Sequence, residues 1–179
     1  MKRKVPEAVI QAAALVPIYG REDGDTGLVL VRRTNWGLHG GQIAFPGGKH
    51  EPGDGSMLET AIREAEEEIG LPPSAVHVLA ELPPLETRIT RFVIYPFLAR
   101  IVRPPQWRRQ EREIAEILDV GIRDLGRPEA NGKELITLPD RPEPEWIPFY
   151  RIGPHKLWGA TYRILQPLIP RLMAGEWVP

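Results

Sequence analysis

The sequence predicts an α+β fold, an α/β/α sandwich in which a mixed β-sheet lies between helices. Segments with strand character outnumber those with helical periodicity and interleave with them. One helix, over residues 56–70, carries both its start signal and its stop signal. The chain of 179 residues is of a size that one hydrophobic core can serve, and it reads as a single domain over 1–179.

Each element has its own warrant. Residues 8–19 are rich in Val, Ile, Ala and Leu, and residues 28–33 (Leu-Val-Leu-Val-Arg-Arg) follow a charged turn at 21–25, which predicts strand, turn and strand. Residues 37–48 carry too many glycines, with Pro46, for a helix; they predict a shaped loop around a short apolar strand. Ser56-Met57-Leu58-Glu59 reads as a capping box, and Gly70 with Pro72-Pro73 ends the helix. Inside it Leu58, Ala61, Ile62, Ala65 and Ile69 form one apolar stripe, away from which Arg63, Glu64, Glu67 and Glu68 are expected to point. Residues 76–79, 92–102 and 114–120 are strand candidates, the second with Pro96 suggesting an edge or a bulge, and 135–138 is a weaker one. Residues 157–173 have helical spacing, with Pro167 and Pro170 kinking or shortening the end.

Composition removes several classes of function. With 42% hydrophobic and 26% charged residues, neither disorder nor a fibrous protein is expected. A net charge of −1, from 23 basic and 24 acidic residues, leaves no global field to hold nucleic acid or an anionic membrane. The absence of cysteine excludes disulfides, thiolate metal sites and cysteine nucleophiles. No apolar run approaches the ~18 residues of a spanning helix, and the first segment lacks a small-residue cleavage site, so a cytoplasmic protein is expected. Sixteen of the 20 prolines lie from Pro72 onward, which predicts a second half of short elements joined by stiff turns.

The chemistry concentrates in residues 63–71, Arg-Glu-Ala-Glu-Glu-Glu-Ile-Gly-Leu. Glu64, Glu67 and Glu68 stand at i, i+3 and i+4, so on one helix they project as carboxylates ~5–6 Å apart at Cβ. Three like charges so placed destabilise a helix unless something neutralises them. Grouped hard oxygens are what Mg²⁺ or Mn²⁺ takes, together with waters and substrate phosphates. A Glu-rich helix face is by itself ordinary solvated surface. Here Gly47-Gly48 lies just upstream, with bare backbone that can approach a ligand and offer a carbonyl to the same cation.

This segment resembles the Nudix box, in which a glycine, five residues, a glutamate and seven further residues lead into Arg-Glu-U-x-Glu-Glu-x-Gly-U, U being aliphatic. Residues 63–71 match every fixed position, with Ala65 a small choice for U. The glycine half departs: Asp54 stands where glutamate is usual, and Arg63 lies one position later than the standard spacing. Phe45-Pro46-Gly47-Gly48 with the turn through Asp54, the preceding His39-Gly40-Gly41-Gln42, and Trp158-Gly159-Ala160-Thr161 near the far end are similar to the coenzyme A pyrophosphatase subgroup. That subgroup's upstream motif carries an arginine before its glycine; residues 34–38 lack it, and Arg32 and Arg33 precede them.

The resemblance implies a Nudix-type sandwich and a metal-dependent hydrolysis of a diphosphate linked to another group. Its leading substrate is coenzyme A or an acyl derivative, giving 3′,5′-ADP and 4′-phosphopantetheine. ADP-ribose, another dinucleotide or a nucleoside triphosphate are the nearer rivals, and a nucleotide-binding regulator without catalysis is a rival of another class. The implied ligands of Mg²⁺ or Mn²⁺ are Glu64, Glu67 and Glu68 with a carbonyl of Gly47 or Gly48. Arg63 is expected to pair with Glu67 or Asp54 and hold the ligands in place. One of Glu64, Glu67 and Glu68, or an acid from another loop, Glu113 or Glu116 with Glu111 competing, is expected to serve as base. His39 and His50 flank the box and could touch phosphate, Phe45 reads as core, and Trp36, Trp107 and Tyr150 are candidates for stacking on a base. Homodimerisation is allowed for, with Trp107 or residues 139–148 as candidate interface.

Overall fold

The computed structural model describes residues 9–35, 40–87, 91–138 and 143–177. Strand β1 (Ile10–Gly20) organises the rest. Its alternate residues face opposite ways and both sets are buried, Leu15 and Tyr19 to one side, Val16 and Ile18 to the other, as befits a strand covered on both faces. On one edge it runs parallel to β7 (Phe92–Ile101), from Ile10 opposite Phe92 to Ile18 opposite Arg100. On the other edge it changes partner along its length. Its first half pairs antiparallel with β4 (Gly47–Lys49) and its end with β2 (Thr26–Arg33). β3 (Ile43–Ala44) and β8 (Ile114–Gly121) flank β2, while β5 (Val76–Glu81) and β6 (Leu85–Glu86) flank β7. The parallel β1–β7 pair among antiparallel ones makes the sheet mixed, as expected.

Helix α1 (Met57–Ile69) covers one face, packing Ala61, Ala65 and Ile69 on Leu15, Val29, Val31 and Phe97. The opposite face is covered by α3 (Gly159–Leu165) and α4 (Leu168–Met173), with Ile164, Leu165 and Leu168 against Val16, Leu28 and Leu98. A second sheet of β9 (Asn131–Ile136), β10 (Glu145–Ile152) and β11 (His155–Leu157) adds Tyr150, Ile152 and Leu157 to that second core. The short α2 (Ile122–Gly126) follows β8 and packs on α4. Among the described residues no helix is long and apolar enough to cross a membrane.

Several expectations need correction. The Ser56 hydroxyl accepts from the Glu59 amide as a capping box requires, but the Glu59 carboxylate reaches past Ser56 to the Gly55 amide at 2.8 Å. Glu68, expected on the outer face, is 2% exposed, and Thr60 is buried with it, so the inward face of α1 is wider than its apolar stripe. β7 is interior rather than an edge. Pro96 is tolerated because the antiparallel ladder beside it breaks there: β5 gives way to β6, and the Leu82 amide donates to the Pro96 carbonyl. The predicted helix over 157–173 is two helices with Leu157 in β11, since Pro167 lacks the amide that would continue α3. β10 and α2 carried no signal strong enough to predict them, and the candidate at 135–138 overlaps only the last two residues of β9.

The cap makes a measurable demand. Ser56→Ala removes the acceptor for the Glu59 amide and is expected to cost about 1 kcal/mol, a fall in Tm of roughly 2–4 °C for a domain of this size. Thermal unfolding by circular dichroism checks it, and an unchanged Tm would show that the cap contributes nothing.

Candidate functional site

The site forms where β1 changes partner. β2 has diverged, and the edge of β1 is taken instead by Gly47 and Gly48, opposite Ala14 and Ala13. A Cβ on Gly47 would overlap the Ala13 carbonyl oxygen, a backbone atom that cannot yield. A Cβ on Gly48 would collide with the Glu64 carboxylate. These two glycines are therefore what lets the strand lie directly beneath the acidic face of α1.

Arg63 is the hub of that face. Its Nε and Nη2 donate to the two oxygens of Asp54 at 2.8 and 3.0 Å. Nη1 donates to Glu64 at 3.1 Å and to Glu67 at 3.3 Å, and Nη2 also reaches the Lys49 carbonyl. Asp54 is fixed from its other side by the Glu51 amide and the Thr60 hydroxyl, and the Arg63 hydrogen bonds hold its carboxyl far below the usual range. The expected pairing of Arg63 with Asp54 or Glu67 is thus realised with both.

Burial pushes the Glu64 carboxyl above its ordinary pKa, Arg63 opposing. Glu68 goes further. Burial raises it to about 7, against the Gly47 amide, which donates to its Oε2 at 3.0 Å, and against Arg33, while the Glu64 and Glu113 charges add to the rise. Its other oxygen, Oε1, is buried with no hydrogen-bond partner among the described residues, and Arg33 Nη1 lies 3.6 Å from it. An unsatisfied carboxylate oxygen beside a second carboxylate and bare strand backbone is a costly arrangement for the apo chain.

Glu113 completes the rim. The loop before β8 closes the C-terminal end of α1: the Arg108 amide donates to the Ile69 carbonyl at 3.2 Å and the Gln110 amide to the Glu68 carbonyl at 2.9 Å. The Glu113 amide then donates to the Gln110 carbonyl, and the Glu113 carbonyl accepts from Thr34, next to Arg33. Glu113 lines a cleft of about 610 Å³ that also takes in Arg33, Gly48, Glu64, Lys49, Phe92 and Trp158.

The structure therefore brings Arg63, Glu64, Glu68, Gly47 and Gly48 together, with Glu67 at their outer edge and Glu113 across the cleft. It separates others. Glu116 is engaged by Arg32 at 3.1 Å and His155 at 3.3 Å, and Glu111 is exposed beside Arg109. The His50 ring bonds the Thr60 hydroxyl. Tyr150 is buried against Tyr162, their ring centroids 4.9 Å apart, and offers no face to a base. Trp107 packs on the α1 core, while Phe45 is core as expected and also borders the cleft. His39 and Trp36 lie outside the described residues. Lys49, Phe92 and Trp158 were not foreseen as cleft residues; nothing in the local sequence marks Phe92, which the β1–β7 pairing delivers.

Among the described residues no three Asp, Glu or His side chains already converge into a metal cage. Arg63 engages Glu64 and Glu67, while Glu68 is held by the Gly47 amide. Mg²⁺ needs only one or two carboxylates, with waters and substrate phosphates for the rest. Glu64, the Glu68 oxygen that accepts no hydrogen bond among the described residues, and a strand carbonyl are an all-oxygen donor set that fits it.

A family model described as the NUDIX domain matches residues 9–156. The Nudix hydrolase NudL of Yersinia enterocolitica is 42% identical over 112 residues, which span 62% of this chain and 56% of that protein. NudL of Salmonella newport is 33% identical over 162 residues, 88% of this chain and 80% of that one. The crystal structure of a MutT/nudix family protein from Enterococcus faecalis is similar with a TM-score of 0.61 at 16% identity, over 95% of this chain and 66% of that one, a likeness of fold.

The raised Glu68 carboxyl has a pH signature. Its folded pKa of about 7 lies above the ordinary value of 4.5, so the fold tolerates the neutral form better, and stability is lost as pH rises through about 7. In the presence of a chelator, Glu68→Gln is expected to be near neutral below pH 4.5 and to gain on the parent as pH rises, approaching about 3 kcal/mol above pH 8. Urea unfolding at pH 4.5 and pH 8.5 checks this, and a gain that does not grow with pH would contradict it.

Proposed function

The chain belongs to the Nudix family of hydrolases, and we propose that it is a divalent-metal-dependent diphosphatase of nucleoside diphosphates linked to a further group. Coenzyme A or an acyl-coenzyme A stands first among its substrates, yielding 3′,5′-ADP and the (acyl-)4′-phosphopantetheine. The buried Glu68 oxygen beside Glu64, which among the described residues accepts no hydrogen bond and faces Arg33 only at 3.6 Å, carries this reading, because a cation would supply the coordination it lacks. We assign Glu64, Glu67, Glu68 and a carbonyl of Gly47 or Gly48 to Mg²⁺ or Mn²⁺. When bound, such an ion polarises phosphoryl oxygens and acidifies water.

The chain's own residues do the rest. Gly47 and Gly48, without side chains, let the diphosphate approach the backbone beside Glu64. Arg63, tied to Asp54, fixes the direction of Glu64 and Glu67. Glu67 and Glu113 are the acids with solvent access to take a proton from the attacking water, Glu67 beside the ligands and Glu113 across the cleft. The apolar half of the cleft, Ala12, Phe92, Ile94 and Ile164, suits the body of a long substrate more than a compact triphosphate. The coenzyme A preference is further supported by the resemblance of residues 39–54 and 158–165 to the subgroup.

Chromatography of products formed from coenzyme A, ADP-ribose and nucleoside triphosphates, each with Mg²⁺ and Mn²⁺, tests the proposal. Cleavage of coenzyme A to 3′,5′-ADP is expected; equal or faster turnover of ADP-ribose would remove the preference. Glu67→Gln is expected to lose about 10²–10⁴-fold in kcat with its Tm essentially kept. Unchanged turnover in that variant would remove the assignment of Glu67.

A further inference from the structure

The cleft has a cation whose task the reading above does not use. Lys49 follows Gly48 directly but faces the other way. Lys49 is opposite Ala12 and Ala12 opposite Ile94, and directly opposed residues share a face, so Lys49 looks toward α3 while Gly48 looks toward Glu64 and α1. Its ammonium lies 5.9 Å from the centroid of the Phe92 ring. The other basic groups around the site are already balanced: Arg63 by Asp54, Glu64 and Glu67, and Arg33 by Glu68. Lys49 makes no ion pair or side-chain hydrogen bond to a carboxylate among the described residues, although Glu51 lies on the same rim. It stands in the apolar half of the cleft, with Ala12, Phe92, Ile94 and Thr87 around it.

We infer that Lys49 reads a second anionic group of the substrate, a phosphomonoester on the nucleoside ribose, separate from the diphosphate that is cleaved. The inference rests on the reading of the cleft as a nucleoside-diphosphate site. The separation follows from strand geometry. Lys49 is one residue from the glycine beneath Glu64, about 3.3 Å along the strand, but on the opposite face of the sheet. A group it holds therefore lies past the strand edge, on the part of the ligand that extends over Ala12 and Phe92. The lysine is suited to that role: a mobile point charge binds a phosphate without the fixed fork an arginine would impose.

Calorimetric titration of the purified protein with 3′,5′-ADP and with 5′-AMP tests this apart from turnover, since the two differ by the ribose phosphate alone. The parent is expected to bind 3′,5′-ADP about tenfold more tightly, the worth of one hydrogen bond to a charged group, and Lys49→Gln to bring 3′,5′-ADP down to the affinity of AMP. Lys49 is exposed, and an unchanged Tm shows that the variant is folded. Equal affinity of the parent for both nucleotides, no binding of 3′,5′-ADP, or discrimination that survives Lys49→Gln would each overturn the inference. If coenzyme A is not hydrolysed while the lysine-dependent discrimination stands, the named substrate fails and the phosphomonoester site holds.

Discussion

The close approach of β4 to α1 is the constraint on which the rest of this structure depends. Two successive glycines of this strand make the approach, Gly47 against β1 and Gly48 under the Glu64 carboxylate, and neither contact leaves room for a methyl group. Because the strand is that near, its Gly47 amide reaches Glu68 and makes it possible to bury a carboxylate in a helix face that otherwise packs alanine and isoleucine. A buried acid with a single backbone donor is poorly solvated, and its proton affinity rises accordingly. The fold thus stores an electrostatic imbalance at one point and spends the surrounding structure on keeping it there.

Arg63 keeps that imbalance local. Its guanidinium spans three carboxylates from two elements, and Asp54 anchors it through a loop that is itself closed by the Glu51 amide and the Thr60 hydroxyl. Lysine could supply the charge but not the planar set of donors that reaches Asp54, Glu64, Glu67 and a main-chain carbonyl at once. Shifting the arginine by one residue relative to the common spacing, with aspartate as the shorter partner, is compatible with this arrangement because the Asp54 turn brings its carboxylate to both Nε and Nη2.

Local signals made much of this legible. Caps and periodicity gave α1, and the spacing of Arg63, Glu64 and Glu67 gave the acidic face. The burial of Glu68 was not legible, because a glutamate four residues from another reads as surface unless its partners are known, and its partners, Gly47 and Arg33, are set by strand pairing far from it in sequence. β10 was hidden for a related reason: Pro144 and Pro148 argue against a strand, yet β10 keeps β9 on one side and the short β11 on the other. Tyr150 looked available for stacking because an aromatic residue in a proline-rich stretch carries no local sign of the core into which the second sheet turns it. Phe92 and Lys49 meet only through the pairing of three strands.

The loop that caps α1 determines how the site could change over evolution. Its amides at Arg108 and Gln110 are fastened to the last carbonyls of α1, and from Gln110 the chain runs to Glu113, which is fastened in turn beside Arg33. The distance between Glu68 and Glu113 is therefore ruled by main-chain links and a residue count, not by the side chains in between. Positions 111 and 112 can drift freely in identity, while their number cannot: losing or gaining a single residue there would carry Glu113 away from the cleft and leave every other acid where it was.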